Sequence, residues 1–166
     1  MGDDEFPGQP WWPKTDLLRT IREGRRRLDD VLARVPRDRM EEPDVAGEWS
    51  VKDVLAHIAW GIRESVGVMR ARALVGSELW QLSDDERNAI VFQRERGRPL
   101  EDVLDDYGRS FDAYMSALEG LSEEDLNDPT RIRDMITGWR PWRILFDPKH
   151  DDEHASDIEA WLRRTR

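Results

Sequence analysis

Apolar side chains recur every three or four residues along four long stretches of this chain. The apolar positions of the clearest stretch are Leu100, Val103, Leu104, Tyr107, Phe111, Tyr114, Met115 and Leu118. This spacing gathers the apolar side chains on one face of an α-helix and is typical of helices that pack on a core. Period-two alternation, the mark of half-buried strands, is absent from the sequence. The pattern therefore predicts an all-α protein.

Residues that favour helix ends bracket the four stretches. The predicted N-caps are Thr15, Ser50 (with Asp53 completing a variant capping box) and Asp147, which Pro148 follows at the first helical position. Pro36 ends the first predicted helix and Gly120 the third. Helices of this length joined by connectors predict a four-helix bundle.

The connection between the second and third long helices carries a further helix signal. Ser83 and Glu86 have the spacing of a capping box, and Gly97 and Pro99 close the segment. We therefore expect an extra short helix there. Residues 1–13 contain three prolines and two glycines and read as an irregular lead-in, so that residues 14–166 form the bundle domain.

Composition narrows the function classes. The 166 residues carry a formal charge of −10, which disfavours nonspecific binding to nucleic-acid backbones or anionic membranes. The sequence has no cysteine, so disulfides, thiolate zinc sites and a cysteine nucleophile are excluded. Neither a signal peptide nor an apolar run of about 18 residues is present, and a cytoplasmic protein is expected.

The chain has three histidines, and two of them share a helix face. His150 and His154 are four residues apart and begin a face that later becomes apolar with Ile158 and Trp161, so they should point inward. His57 lies on the shoulder of the second helix's apolar stripe. Three neutral imidazoles are a ligand set for zinc, nickel, copper or iron. Taken singly, each histidine is better explained as a packed or surface residue than as a metal ligand.

Other candidates have simpler explanations, which the sequence favours. Glu64, two turns after His57, and Asp53, one turn before it, are carboxylates that would assist as proton acceptors, or else solvent-facing charges. Several tryptophans would line a substrate pocket or simply pack in the core: Trp60, Trp139, Trp142 and Trp161.

Three segments carry a family resemblance. The segment from Gly47 to Ile58 (GEWSVKDVLAHI) resembles the helix-two motif of DinB-like four-helix-bundle proteins. Residues 98–104 and 121–126 are similar to the ClbS/DfsB-type branch of that superfamily, as is the closing His150-x-x-x-His154. The resemblance implies a three-histidine metal site formed by His57, His150 and His154.

The activity that the resemblance implies is less specific. The superfamily includes thiol-dependent transferases and isomerases, and the ClbS-type branch hydrolyses a reactive group of a genotoxin for self-protection. We therefore expect a metal-dependent enzyme acting on a small molecule, of hydrolase or thiol-transferase type. The alternative is a non-catalytic protein that binds or sequesters a small molecule with structural histidines. Homodimerisation is left open.

Overall fold

The structure, a computed structural model, describes residues 10–76, 78–145 and 147–165, without the side chains of residues 144 and 145. Seven α-helices lie in this part of the chain: α1 (Lys14–Leu32), α2 (Val51–Ala71), α3 (Asp84–Glu95), α4 (Leu100–Glu119), α5 (Glu123–Asn127), α6 (Pro141–Leu145) and α7 (His150–Arg164). Short 3-10 turns lie at Arg37–Arg39, Glu78–Gln81 and Pro129–Arg131.

The all-α prediction is confirmed. Within the described ranges the only β-type pairings are two isolated bridges, Ala46 with Trp49 and Ala73 with Arg133. Four long helices, α1, α2, α4 and α7, make the bundle, and α3 is the predicted extra helix between α2 and α4. It is longer than a single capped turn, since it continues for 12 residues.

The predicted capping boxes are present. The Ser50 hydroxyl accepts the backbone N–H of Asp53 at 3.2 Å, and the Asp53 carboxylate accepts the backbone N–H of Ser50 at 2.9 Å. Ser83 and Glu86 form the same reciprocal pair at the start of α3. Each box satisfies donors that the first helical turn leaves without an internal partner.

Two predicted helix starts are wrong by a few residues. α1 begins at Lys14, one residue before the predicted N-cap Thr15, because the Pro13 carbonyl already accepts the Leu17 N–H at 2.9 Å. α7 begins at His150 rather than at Pro148. The Asp147 carboxylate accepts the backbone N–H of Lys149 at 3.0 Å, so this aspartate closes a turn that precedes the helix.

The bundle consists of two main helix pairs, since α2 packs chiefly on α4 and α1 packs chiefly on α7. Their inward faces meet in one core whose largest fully buried side chains include Trp161, Tyr114, Leu17, Leu28, Leu55 and Ile58. The second half of α7 enters this core through Ala155, Ile158 and Trp161. Its N-terminal end, which carries the two histidines, therefore lies at the edge of the core.

The end of the predicted lead-in contacts the bundle. The backbone N–H of Trp12 donates to Asn127 Oδ1 at 2.7 Å, and Asn127 Nδ2 donates back to the Trp12 carbonyl at 2.8 Å. The boundary between residues 1–13 and 14–166 stays a prediction, and its residues 1–9 lie outside the described residues. No helix in the described part of the chain has the length and apolar content needed to cross a bilayer.

Candidate metal centre

The three histidines meet at one point although His57 and His150 are 93 residues apart in sequence. His57 Nε2 lies 3.0 Å from His150 Nε2, and His154 Nε2 lies 3.2 Å from the same atom. One ligand atom from each of the three falls within 4.8 Å of the others. α2 supplies the first ring, and successive turns of α7 supply the other two.

Hydrogen bonding among the rings does not account for this arrangement. A neutral imidazole nitrogen has a single in-plane position, which holds either a proton or a lone pair. His150 Nε2 therefore makes one good hydrogen bond and leaves the second close neighbour unsatisfied. Three lone pairs directed at a common ion would satisfy all three nitrogens together.

The separations also fit metal coordination. Two nitrogens that each lie 2.0–2.1 Å from one ion are about 2.9 Å apart at a right angle and about 3.4 Å apart at the tetrahedral angle. The observed separations of 3.0 and 3.2 Å fall inside that range. The donor set therefore fits a divalent transition metal.

Electrostatics keep two of the rings neutral. Burial, with smaller contributions from His154 and Arg87, lowers the pKa of His57 to about 3. The same causes, together with His57, lower the pKa of His150 well below its usual value. Both imidazoles are therefore uncharged at about pH 7, which is the state that a metal ligand requires.

An aromatic neighbour packs on one of the rings. Trp49 lies edge-on against His57, with ring centroids 5.2 Å apart, and stacks on Phe92 at 5.5 Å. Packing therefore limits the rotation of His57. His154 Nδ1 lies 3.7 Å from the Asp157 carboxylate, beyond hydrogen-bonding distance.

A buried ion pair fixes the first turn of α7 on α1. Arg25 lies 3.4 Å from the Asp151 carboxylate, and each side chain is at most 5% exposed. Arg25 also donates to the Tyr107 carbonyl at 2.5 Å and lies over the rings of Tyr107 and Phe111. Because Asp151 directly follows His150, this contact anchors the backbone that presents both α7 histidines.

The histidines open onto a cavity of about 320 Å³. Its aromatic wall is formed by Trp49, Trp60, Trp80 and Trp139. Its polar lining, besides the histidines, consists of Ser65, Asp84, Arg87, Asn88, Arg143, Asp147 and Glu153. A volume of this size suits a small organic molecule.

Only some of the predicted pocket residues line the cavity. Trp60 and Trp139 line the cavity, whereas Trp142 and Trp161 are buried in the core. The Asp53 carboxylate is engaged in the capping box of α2. Glu64 lies beside Gly76, where an added Cβ would stand 2.9 Å from Glu64 Oε2, and neither carboxylate lines the cavity. A role for either in chemistry stays a prediction.

The sequence analysis missed the contribution of α3. Asp84, Arg87 and Asn88 fall at i, i+3 and i+4, so they share one helix face, which continues with buried Val91. Polar residues at the start of a face that becomes apolar are the same signal that indicated His150 and His154. Applied to residues 84–91, it would have found this part of the site.

The chain matches a known protein family. The sequence model of the mycothiol maleylpyruvate isomerase N-terminal domain matches residues 21–147, well over half of the chain. The chain belongs to this family. The family is a metal-associated part of the DinB-like helical superfamily, so the superfamily resemblance is confirmed, whereas the ClbS/DfsB branch is not.

A solved structure supports the fold. A Streptococcus pneumoniae protein superposes with a TM-score of 0.77 over 95% of this chain and 94% of its own, at 11% sequence identity. That identity establishes a common fold only. Among curated proteins, none matches the chain.

Proposed function

We propose that the chain is a metal-dependent enzyme of the thiol-transferase or isomerase type, with His57, His150 and His154 as the metal ligands. The observation that carries this proposal is the convergence of three imidazole nitrogens at the wall of a cavity. Membership of the mycothiol maleylpyruvate isomerase N-terminal domain family supports mycothiol as the thiol.

The absence of cysteine fits a thiol co-substrate. Any sulfur nucleophile must come from outside the chain, since the sequence contains no thiol of its own. A divalent metal bound by the three histidines would act as a Lewis acid that lowers the pKa of that thiol. Imidazole ligands suit zinc, nickel, copper or iron.

Other residues of the cavity have roles in the proposed reaction. The carboxylates of Glu153 and Asp147 line the same cavity and would accept the thiol proton. The four tryptophans would exclude water, which protects a reactive electrophile from hydrolysis. Gly61, one turn after His57, leaves open space at its Cβ position, so the bound substrate would lie against this turn of α2.

A second version of the function replaces the thiol with water. The resemblance to ClbS/DfsB-type proteins supports a hydrolase that detoxifies a reactive small molecule, with metal-bound water as the nucleophile's source. The two versions differ in one requirement, because only the first depends on an added thiol. A protein that binds the small molecule without turnover is the non-enzymatic alternative.

The remaining parts of the proposal concern partners and location. The partner is a small molecule, rather than nucleic acid or a membrane surface, in keeping with the formal charge of −10. We place the protein in the cytoplasm, treat residues 14–166 as one domain, and leave homodimerisation open.

Metal analysis of protein purified without an affinity tag tests the ligand set. We expect close to one divalent transition-metal ion per chain, lost in the double variant His150→Ala/His154→Ala. Glu64→Gln is the control variant and should retain full loading, because its side chain does not line the cavity. Unchanged loading in the double variant would refute the site.

Cobalt substitution then separates thiol chemistry from hydrolysis. Mycothiol added to the cobalt-loaded protein should produce a thiolate-to-metal charge-transfer band, and S-methyl mycothiol should not. Mycothiol-dependent consumption of an electrophile such as 1-chloro-2,4-dinitrobenzene would complete the test. A protein that turns over substrates equally well without thiol would favour the hydrolase, and tight ligand binding indifferent to chelators would favour the non-enzymatic alternative.

A further inference from the structure

Arg87 is a buried cation with an unused donor. Its side chain is 12% exposed, and its Nη2 is paired with the Asp84 carboxylate. Its Nη1 is closed to solvent and has no hydrogen-bond partner among the described residues. The guanidinium therefore brings to the cavity wall a donor that the protein itself leaves unsatisfied.

A second donor in the same wall has the same property. The indole Nε1–H of Trp80 is buried and has no hydrogen-bond partner among the described residues. The Arg87 guanidinium carbon lies 5.8 Å from the centre of the Trp80 ring, and both residues line the cavity next to His57. Two neighbouring donors without acceptors indicate a ligand that supplies acceptor atoms.

Two other buried arginines donate to acceptors within the protein. Arg25, on α1, donates from Nη2 to the Tyr107 carbonyl and pairs through Nη1 with Asp151. Arg140 donates from Nη1 to the Asn127 carbonyl. A buried polar group left without a partner destabilises the folded protein, and more so when it is charged. Arg87 carries that cost at the cavity wall, and a bound anion would remove it.

We propose that Arg87 and Trp80 form a subsite for the carboxylate of an organic substrate, beside the three histidines. Both nitrogens are closed to solvent in the structure, so the two side chains would turn toward the cavity, where Arg87 Nη1 would donate to one carboxylate oxygen and Trp80 Nε1–H to the other. A single negative charge is favoured over a phosphate dianion, because Asp84, Asp147 and Glu153 also line the cavity. The subsite depends on the proposed function only for its role in turnover, not for binding.

Binding of phenylacetate and of its uncharged isostere phenylacetamide tests the subsite, measured by calorimetry on metal-free full-length protein. We expect the carboxylate to bind at least tenfold more tightly than the amide. Arg87→Gln should bring the ratio close to one, and Trp80→Phe should reduce it several-fold. Arg94→Gln, on the same helix but paired with Glu78 outside the cavity, is the matched control and should leave the ratio unchanged.

A second variant, Asp84→Asn, tests the role of the Arg87 charge by changing its exposed partner. Asp84 is 64% exposed, so Asp84→Asn should fold normally while removing the carboxylate paired with Arg87. We expect it to tighten phenylacetate binding several-fold and to leave phenylacetamide unaffected. An unchanged affinity for phenylacetate would contradict a subsite centred on Arg87.

The outcomes distinguish the subsite from the metal site. Equal binding of the two probes by the wild-type protein, or a carboxylate preference that survives Arg87→Gln, overturns the subsite. If a preference that Arg87→Gln does not remove appears only when the measurement is repeated on metal-loaded protein, the carboxylate binds the ion, which supports the proposed function but not the subsite. If the protein holds no metal and the Arg87-dependent preference remains, the subsite stands and the proposed function fails.

Discussion

His150 and Asp151 are neighbours in the first turn of α7, but they belong to two different polar clusters. Asp151 turns toward α1 and is buried against Arg25, so charge is met by charge within the protein. His150 turns toward α2 and meets one ring nitrogen each from His57 and His154, so nitrogen faces nitrogen. The comparison teaches that burial alone does not identify a site. What distinguishes the histidine cluster is that its three nitrogens could hold a metal ion, whereas the ion pair is complete within the protein.

The Arg25–Asp151 cluster should dominate the stability of the metal-free protein. Replacing one partner of a buried ion pair leaves an uncompensated charge and costs about 3–5 kcal/mol. We expect Arg25→Ala to lower the free energy of unfolding by that amount in urea titrations. Arg34→Ala, which removes an exposed ion pair between the turn after α1 and Glu159, is the control and should have a far smaller effect. Equal losses in the two variants would contradict the structural role of the buried pair.

The histidine cluster should contribute to stability only when metal is present. An ion at one hundred times its Kd stabilises a protein by about 2.7 kcal/mol if it binds only the folded state. We expect that gain in the wild-type protein and no gain in His57→Ala, each compared with its own metal-free form. Asp53→Asn should keep the gain, because its carboxylate belongs to the helix cap. A gain that persists in His57→Ala would remove this residue from the ligand set.

The smallest effect concerns the glycine that faces the cavity. Gly61 and Gly108 both lie within helices with open space at the Cβ position, so Gly→Ala at either should stabilise the protein by about 0.5–1 kcal/mol. The larger change Gly61→Leu should weaken phenylacetate binding by filling the cavity without altering metal loading. Gly108→Leu should alter neither. Equal ligand binding by the two leucine variants would mean that the ligand does not lie against α2.

Local patterns were sufficient to predict the four long helices and α3, but α6 (Pro141–Leu145) was not predicted. The 3.6-residue periodicity gave the four long helices, and the serine-led capping boxes gave the starts of α2 and α3. The start of α7 was misplaced because Asp147-Pro148 satisfies both an N-cap signal and a tight turn, and the pattern does not distinguish them.

The candidate site was predicted only in part. The sequence does not show how far apart two residues of one helix face lie along the axis, nor how the helices dock on one another. The four-residue spacing was enough to bring His150 and His154 together, whereas the position of His57 depended on the family resemblance. Glu64 shares a helix face with His57, but seven residues span about 10.5 Å along the axis, which carries its carboxylate toward Gly76. Arg87 and Trp80 reach the cavity through the docking of α3 and its connector, which the spacing within either segment does not encode.

The division of the bundle into an α2–α4 pair and an α1–α7 pair has a mechanical consequence. α7 has few direct neighbours on α2, and the three histidines bridge that seam. An ion held by one ring from α2 and two from α7 would link the two helix pairs across this seam. Amide protons in the first turns of α7 should then exchange with solvent more slowly in the metal-loaded protein, while those in the middle of α4 should be little changed.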